Sequence, residues 1–308
     1  MMMKWFQQVT TGFARAAYGR DDGGFGRGYG VGGMSATRRP GCAGCLAHPR
    51  VIMALLMIIG ALAYHYLGTT RYENPFTGRT QRLAMPTPQE EIAMGLQSAP
   101  QMIREMGGEH PDQNARALVD RVGERLINTT AVKETPYQFD FHLLRDDRTV
   151  NAFALPGGQI FITSALFTLL ESEDQLAGVL GHEIGHVVGR HSNEQMAKGQ
   201  LWQMLGQGAG ILLSDGGGGG MQVGQMVAGM MTMKYGREDE LESDALAVKF
   251  MLQAQYDPEA MIGVMEILAK SSGGGGQPEI LSTHPNPGNR AEKIREMIAK
   301  MRNQRASR

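Results

Sequence analysis

The sequence predicts an α+β fold that is mostly helical, with a small β-sheet beside a histidine-bearing helix and one transmembrane helix in front of the folded domain. Three observations predict it. Residues 51–67, VIMALLMIIGALAYHYL, carry no formal charge and reach the lower limit of a bilayer span. Most later segments repeat apolar residues at helical spacing. Only a few short stretches alternate like strands, two of them around a Pro-Gly-Gly turn.

Composition bounds the rest. The chain has 308 residues, 42% of them apolar and 20% charged, enough for one sizeable domain. Its net charge of -1 argues against a general nucleic-acid binder. The two cysteines, Cys42 and Cys45, give no disulfide framework. Their single C-x-x-C pair is too few donors for a four-ligand zinc site.

Residues 1–50 read as a flexible glycine-rich basic tail. Lys4, Arg15, Arg20, Arg27, Arg38, Arg39 and Arg50 oppose only Asp21 and Asp22, a net +5. Residues 51–67 read as a transmembrane anchor ending in Tyr64, His65 and Tyr66, which suit the membrane interface. The basic tail places the N-terminus inside and the main domain outside the cytoplasm, although Arg71, Arg79 and Arg82 weaken that asymmetry. The opposite orientation remains the alternative. Residues 68–87 read as an irregular, turn-rich connector.

A Thr cap and an acidic first turn begin a helix over about 88–106. Ala115, Leu118, Val122 and Leu126 give the next its apolar face. YQFDFHLL alternates as a strand, and TVNAFALPGGQIFITSAL reads as two strands around its turn. ESEDQLAGVLGHEIGHVVGRH is a helix. Residues 201–233 read as a soluble helical excursion or lid rather than a second membrane hairpin, because Gln203, Gln207, Asp215, Gln222 and Gln225 interrupt it. Its Met226, Met230, Met231 and Met233 form either an adaptable contact surface or core. EDELESDALAVKFMLQAQ is a strong helix with Leu241, Ala245, Val248 and Leu252 along one face. Two more helices close the chain.

HEIGH is H-E-x-x-H, with His182, Glu183 and His186. Four residues turn a helix by about 400°, so both imidazoles share one face and can hold one Zn²⁺. Glu183 reaches the open position beside them, where it can take a proton from an attacking water. His191 lies about 140° further around a continued helix, which excludes it as the third ligand. Glu240 and Asp244, at i and i+4, lie on the inward face of their helix. Buried acids need partners, so Glu240 is read as the third ligand and Asp244 as the carboxylate that orients a ligand histidine. Glu238, Asp239 and Glu242 read as solvated. Gly181, Gly185 and Gly189 form a stripe on the HEIGH helix. Each costs roughly 1 kcal/mol relative to alanine, so the stripe is expected to admit a close neighbour: the Glu240 helix or the strand over 150–155.

GHEIGHVVGRH, EDELESDALAV and STHPNPGNR together resemble a family of membrane-associated zinc metallopeptidases. That family includes the CAAX prenyl proteases, HtpX and the periplasmic proteases BepA and LoiP. NPFTGRTQRLAMPTPQEEIAMG and VNAFALPGGQIFITSAL resemble its quality-control branch, and the likeness covers roughly residues 72–303. The resemblance implies a zincin-like metallopeptidase domain over 88–303, a short tail over 304–308 and one Zn²⁺ per chain. It implies His182, His186 and Glu240 as ligands, Glu183 as general base and Asp244 behind a ligand. His284 and Arg290 match the family's His-Pro and downstream arginine, as oxyanion or metal-side groups or as a plain loop cap. Asn151, Ala152 and Phe153 match its cleft-side strand, where a substrate strand would pair. The prenyl proteases and HtpX carry several spans; this chain has one candidate, and no tetratricopeptide-like repeats follow the peptidase segment.

The expected function is zinc-dependent hydrolysis of misfolded or unassembled envelope proteins. The expected location is a bacterial inner membrane, with a single pass, a cytoplasmic N-terminus and a periplasmic domain. Expected partners are unfolded polypeptides and the membrane, with no nucleic acid. The alternative is a non-proteolytic, metal-stabilised chaperone or assembly factor, with His284 closing the metal site.

Overall fold

The computed structural model describes residues 49–213, 234–271, 278–284 and 289–306. The basic tail through residue 48, the C-x-x-C pair and the four methionines of 226–233 lie outside the described residues.

Helix α1, Pro49–Ala63, continues as a π-helical turn over Tyr64–Gly68. It is long and apolar enough to cross a membrane, over Val51–Gly68. The connector differs from expectation. Strands β1 (Thr70–Glu73) and β2 (Thr80–Leu83) pair as an antiparallel hairpin. Its buried polar side chains explain why the stretch is ordered. Asn74 Nδ2 donates to the carbonyl of Val188 at 2.9 Å, and Gln81 Nε2 donates to that of Gly189 at 2.8 Å. Both carbonyls belong to the end of a helix, where no intrahelical donor remains.

Helix α2, Pro88–Glu105, starts on a capping box. Thr87 Oγ1 accepts from the Glu90 N–H and the Glu90 carboxylate accepts from the Thr87 N–H, with Pro88 pre-set for the first turn. Helix α3, Gln113–Asn128, is capped by Asp112. Strands β3 (Asp140–Leu144), β4 (Ala152–Ala154) and β5 (Gln159–Thr163) form a sheet in the order β3-β5-β4. β3 runs parallel to β5, and β4 runs antiparallel to it with Phe153 opposite Phe161. Gly157 and Gly158 make the β4–β5 turn with φ of +87° and +114°, a region open to glycine.

A short helix α4, Ser164–Phe167, leads to α5, Glu173–Val188. Ser172 caps α5, accepting from the Gln175 N–H at 3.2 Å. α5 is surrounded. Helices α7 (Arg237–Gln253), α8 (Ala260–Ser271) and α3 pack on it, as does β4. The core runs from Ile160 and Ile162 through Leu180 and Ile184 to Val248, Phe250 and Met251. Ile294 and Ile298 of the last helix, α10 (Arg290–Ala306), close it. A short α9, Glu279–Thr283, precedes α10.

Helix α6, His191–Leu213, follows α5 after an abrupt break. Arg190 adopts φ 56°, a left-handed conformation that ends a helix. Its buried side chain holds the break in place, with Nε 3.1 Å from Glu91 Oε2 and a guanidinium N–H donating to the Met85 carbonyl. Asn193 bonds to the same Glu91 and to Met85.

Candidate metal centre and catalytic cleft

The sequence places His182 and His186 one turn apart on α5, and α5 is buried along its whole second half. Their Nε2 atoms lie 3.0 Å apart. Glu240, from α7, brings Oε2 to 3.5 Å from His182 Nε2 and Oε1 to 3.4 Å from His186 Nε2. His284, just after α9, places Nδ1 3.3 Å from His182 Nε2 and 3.0 Å from Glu240 Oε1. One donor atom from each of the four lies within 4.8 Å of the others.

These separations fit a metal. Zinc bonds of about 2.1 Å in a tetrahedron set donor atoms roughly 3.4 Å apart. Two neutral imidazole nitrogens facing each other with lone pairs repel, and a cation between them removes the conflict. The hydrogen bonds behind the donors point the same way. His182 Nδ1 lies 3.0 Å from Asp244 Oδ1, so its N–H donates there and Nε2 keeps its lone pair. Arg290 fixes that aspartate, with Nε 2.6 Å from Asp244 Oδ2, and reaches Glu240 Oε2 at 3.0 Å.

Burial and the neighbouring charges together set the protonation states. It pushes the His186 pKa well below the ordinary value, leaving a neutral ring. Burial alone would raise Glu240, but His284 and His186 beside it hold its carboxyl well below the usual range. For Asp244, burial again opposes ionisation and the Arg290 guanidinium overcomes it. Burial would lower His284, yet Glu240 and Glu183 drive it up.

Glu183 is different. It is fully buried, and neither carboxylate oxygen has a hydrogen-bond partner among the described residues. Oε1 comes no closer than 3.8 Å to His284 Nε2. Burial pushes its pKa up, against the pull of His284 and His182. A buried carboxyl without partners is costly, so its place beside the four donors calls for a reacting group. Next to it a mostly apolar recess opens between α5 and α8, lined by Val179, Met261, Val264, Met265 and Leu281.

β4 borders α5 on the other side. The Asn151 carbonyl accepts from the Thr163 N–H and the Leu155 N–H donates to the Gln159 carbonyl. By strand alternation, the main-chain groups of Ala152 and Ala154 face away from β5. Of the three residues expected at the cleft, Asn151 and Phe153 therefore spend their main-chain groups on β5, and Ala152 keeps its own for the open edge. The Asn151 side-chain oxygen is buried without a hydrogen-bond partner among the described residues.

The glycine stripe meets α7, not the strand. A Cβ on Gly185 would stand 3.0 Å from Ser243 Cα, and one on Gly181 would stand 3.5 Å from Ala247 Cα. Gly189 falls outside the stripe because α5 has ended. It lies against the His191 ring. Three other expectations need correction. His191 is not on the far side of a continued helix, because the Arg190 break turns it back beneath His186. Asp239 is not solvated. It is 1% exposed, accepting from the Gly236 N–H, Arg79 and Gln195. The deepest face of α7 runs through Glu240, Asp244, Ala247 and Met251, while Leu241, Ala245 and Leu252 are half-buried.

Tyr235 had no role in the sequence reading, and Glu242, expected to be solvated, is half-buried and paired. Tyr235 stacks on His186 with ring centroids 3.9 Å apart, and its hydroxyl bonds Ser192 Oγ at 2.8 Å. Glu242 accepts from His191 at 3.0 Å. Neither contact follows any sequence period.

Comparison with known proteins agrees with this geometry. The profile of peptidase family M48 matches residues 109–298. The beta-barrel assembly-enhancing protease of Escherichia coli (strain K12) is 31% identical over 224 residues, covering 68% of this chain and 45% of that protein. The mitochondrial metalloendopeptidase OMA1 of Saccharomyces cerevisiae is 30% identical over 169 residues, covering 53% of this chain and 48% of its own. The chain thus spans about half the length of these curated relatives. The matched segment carries every residue of the buried histidine–glutamate cluster, and the chain belongs to peptidase family M48.

Proposed function

We propose that the chain is a zinc-dependent endopeptidase that hydrolyses misfolded or unassembled envelope proteins. The observation that carries this reading is the partnerless, buried Glu183 carboxyl beside His182, His186 and Glu240. Zinc, when bound there, supplies a Lewis acid for the scissile carbonyl and eases deprotonation of water.

The chain's own residues do the rest. Glu183 takes the proton from the attacking water and passes it to the leaving amine. Asp244 holds the His182 tautomer, and Arg290 holds Asp244 and Glu240. A substrate strand pairs with the open edge of β4 through Ala152 and Ala154, a mode that asks for no particular side chain. That suits a protease acting on many unfolded chains. The relatives named as proteases support a polypeptide substrate. α1 serves as a single-pass anchor in the inner membrane, with the N-terminus cytoplasmic and the peptidase domain periplasmic.

The test is Glu183→Gln. It is expected to keep its zinc and to lose about 10²–10⁴-fold in casein cleavage. Cleavage at the wild-type rate would overturn the reading. The close approach of His284 to the other three donors favours one refinement: a resting site in which His284 stands where substrate or water would enter.

A further inference from the structure

Helix α6 does not end with the peptidase domain; it runs out along α1. On α1 the residues at helical spacing Val51, Ala54, Ile58 and Ala61 turn inward, and Ala54 and Ala61 are only 1% and 2% exposed. α6 packs against α1. The two meet at one end through a hydrogen bond from the Tyr64 hydroxyl to Gln200 Oε1 at 3.4 Å. α1 runs towards the domain and α6 runs away from it, so the pair is antiparallel. Pro49, where α1 begins, lies fifteen residues, about 22 Å, beyond Tyr64 along the helix. Leu213 lies thirteen residues, about 20 Å, beyond Gln200, so the two lengths match.

The chemistry changes along α6 at the same level. Lys198 pairs with Glu194 at 2.8 Å on the domain side. Residues 199–214 then carry no formal charge, whereas a helix on a soluble surface presents charged residues outward. Leu201, Met204 and Leu205 are half-buried. Trp202 stands out at 70% exposure, and Tyr64 and Tyr66 are exposed too. Indole and phenol rings at one height are the mark of a membrane interface.

We propose that the outer half of α6 enters the bilayer beside α1, with Trp202, Tyr64 and Tyr66 at headgroup height and residues 205–213 among the acyl chains. This rests on the reading of α1 as a membrane span. A helix packed along a spanning helix has lipid, not water, around its free sides. It replaces the sequence-based expectation that this stretch is a soluble excursion. It also fixes where substrate is met. His191 begins α6 eleven residues before Trp202, about 16 Å along the axis. The cleft therefore stands one short helix above the membrane surface and takes polypeptide segments held there.

The chain holds two tryptophans, Trp5 and Trp202, so Trp5→Phe leaves Trp202 as the sole reporter. The full chain is placed in phosphatidylcholine–phosphatidylglycerol vesicles whose acyl chains are brominated either near the glycerol or near mid-chain. Leu205→Trp and Leu56→Trp, each made with both native tryptophans changed to Phe, report on α6 and on α1. Trp202 is expected to be quenched most by the shallow bromines. Leu205→Trp is expected to be quenched more deeply, and Leu56→Trp to respond to the mid-chain bromines. If Leu56→Trp is quenched by lipid while Trp202 answers only to aqueous iodide, α1 spans and the proposal for α6 is wrong. If no bromolipid quenches Leu56→Trp, the anchor reading itself falls. The Trp202 measurement needs no change within α6, so it stands even if Leu205→Trp fails to fold.

Discussion

His191 Nδ1 lies 2.9 Å from His186 Nδ1 across the break that ends α5. His191 Nε2 lies 3.0 Å from Glu242, so its N–H donates to that carboxylate. His191 Nδ1 is then the acceptor for the His186 N–H, and His186 Nε2 is left with its lone pair towards His182 and Glu240. One proton placement satisfies the whole row. Arg79, 3.1 Å from Glu242, anchors its far end.

His191→Phe removes the acceptor behind His186. The expected outcome is a 10–100-fold weaker zinc affinity, read by competition with a chromogenic chelator. Wild-type affinity in a folded variant would show that Tyr235 stacking alone orients the ring.

Gly185 and Gly181 give a graded pair. Alanine at Gly181 meets ordinary van der Waals contact, and alanine at Gly185 is pressed 3.0 Å from Ser243 Cα. Gly181→Ala should be close to neutral. Gly185→Leu should cost about 1–3 kcal/mol through overpacking and lower zinc occupancy as α7 is forced outward. Urea unfolding and metal analysis of both variants check this; equal behaviour would count against close approach as the role of Gly185.

His284→Ala opens one side of the donor cluster while His182, His186 and Glu240 remain. Cleavage of an unstructured polypeptide should rise several-fold at full zinc loading. A zinc-loaded variant that still cleaves nothing would favour the non-proteolytic chaperone reading.

Asp146 ties down the turn between β3 and β4. Its Oδ1 accepts from the N–H groups of Arg148 and Thr149 at 2.9 and 3.0 Å. Burial works against ionisation, but these bonds prevail and lower the pKa below the ordinary 3.8. The carboxylate therefore contributes stability that is fully present above 3.8 and is lost as pH falls through the folded-state value. Asp146→Ala should cost about 1 kcal/mol at neutral pH, and the difference from wild type should close in acid. Denaturant midpoints of both chains across pH measure it.

The sequence made one half of the site legible and hid the other. His182, Glu183 and His186 show because a helix repeats every 3.6 residues, and Glu240 and Asp244 show for the same reason. His191 was hidden by that same assumption. Its direction depends on a left-handed Arg190 that is stabilised by Glu91 and Met85, about a hundred positions away. The β1–β2 hairpin was hidden because its order comes from capping α5, not from its own alternation. Tyr235 and Asp239 were hidden likewise, since their partners lie on other elements.

The break at Arg190 also makes the molecule separable. The first turn of α6 is bolted down through Asn193 to Glu91 and through Glu194 to Gln81 and Arg79. Beyond Gly199, among the described residues, no such bolts hold it to the peptidase domain. A lineage can therefore lengthen, shorten or replace the outer helix without retuning the donors around Glu183. The same catalytic unit is thus free to be grafted onto different means of attachment.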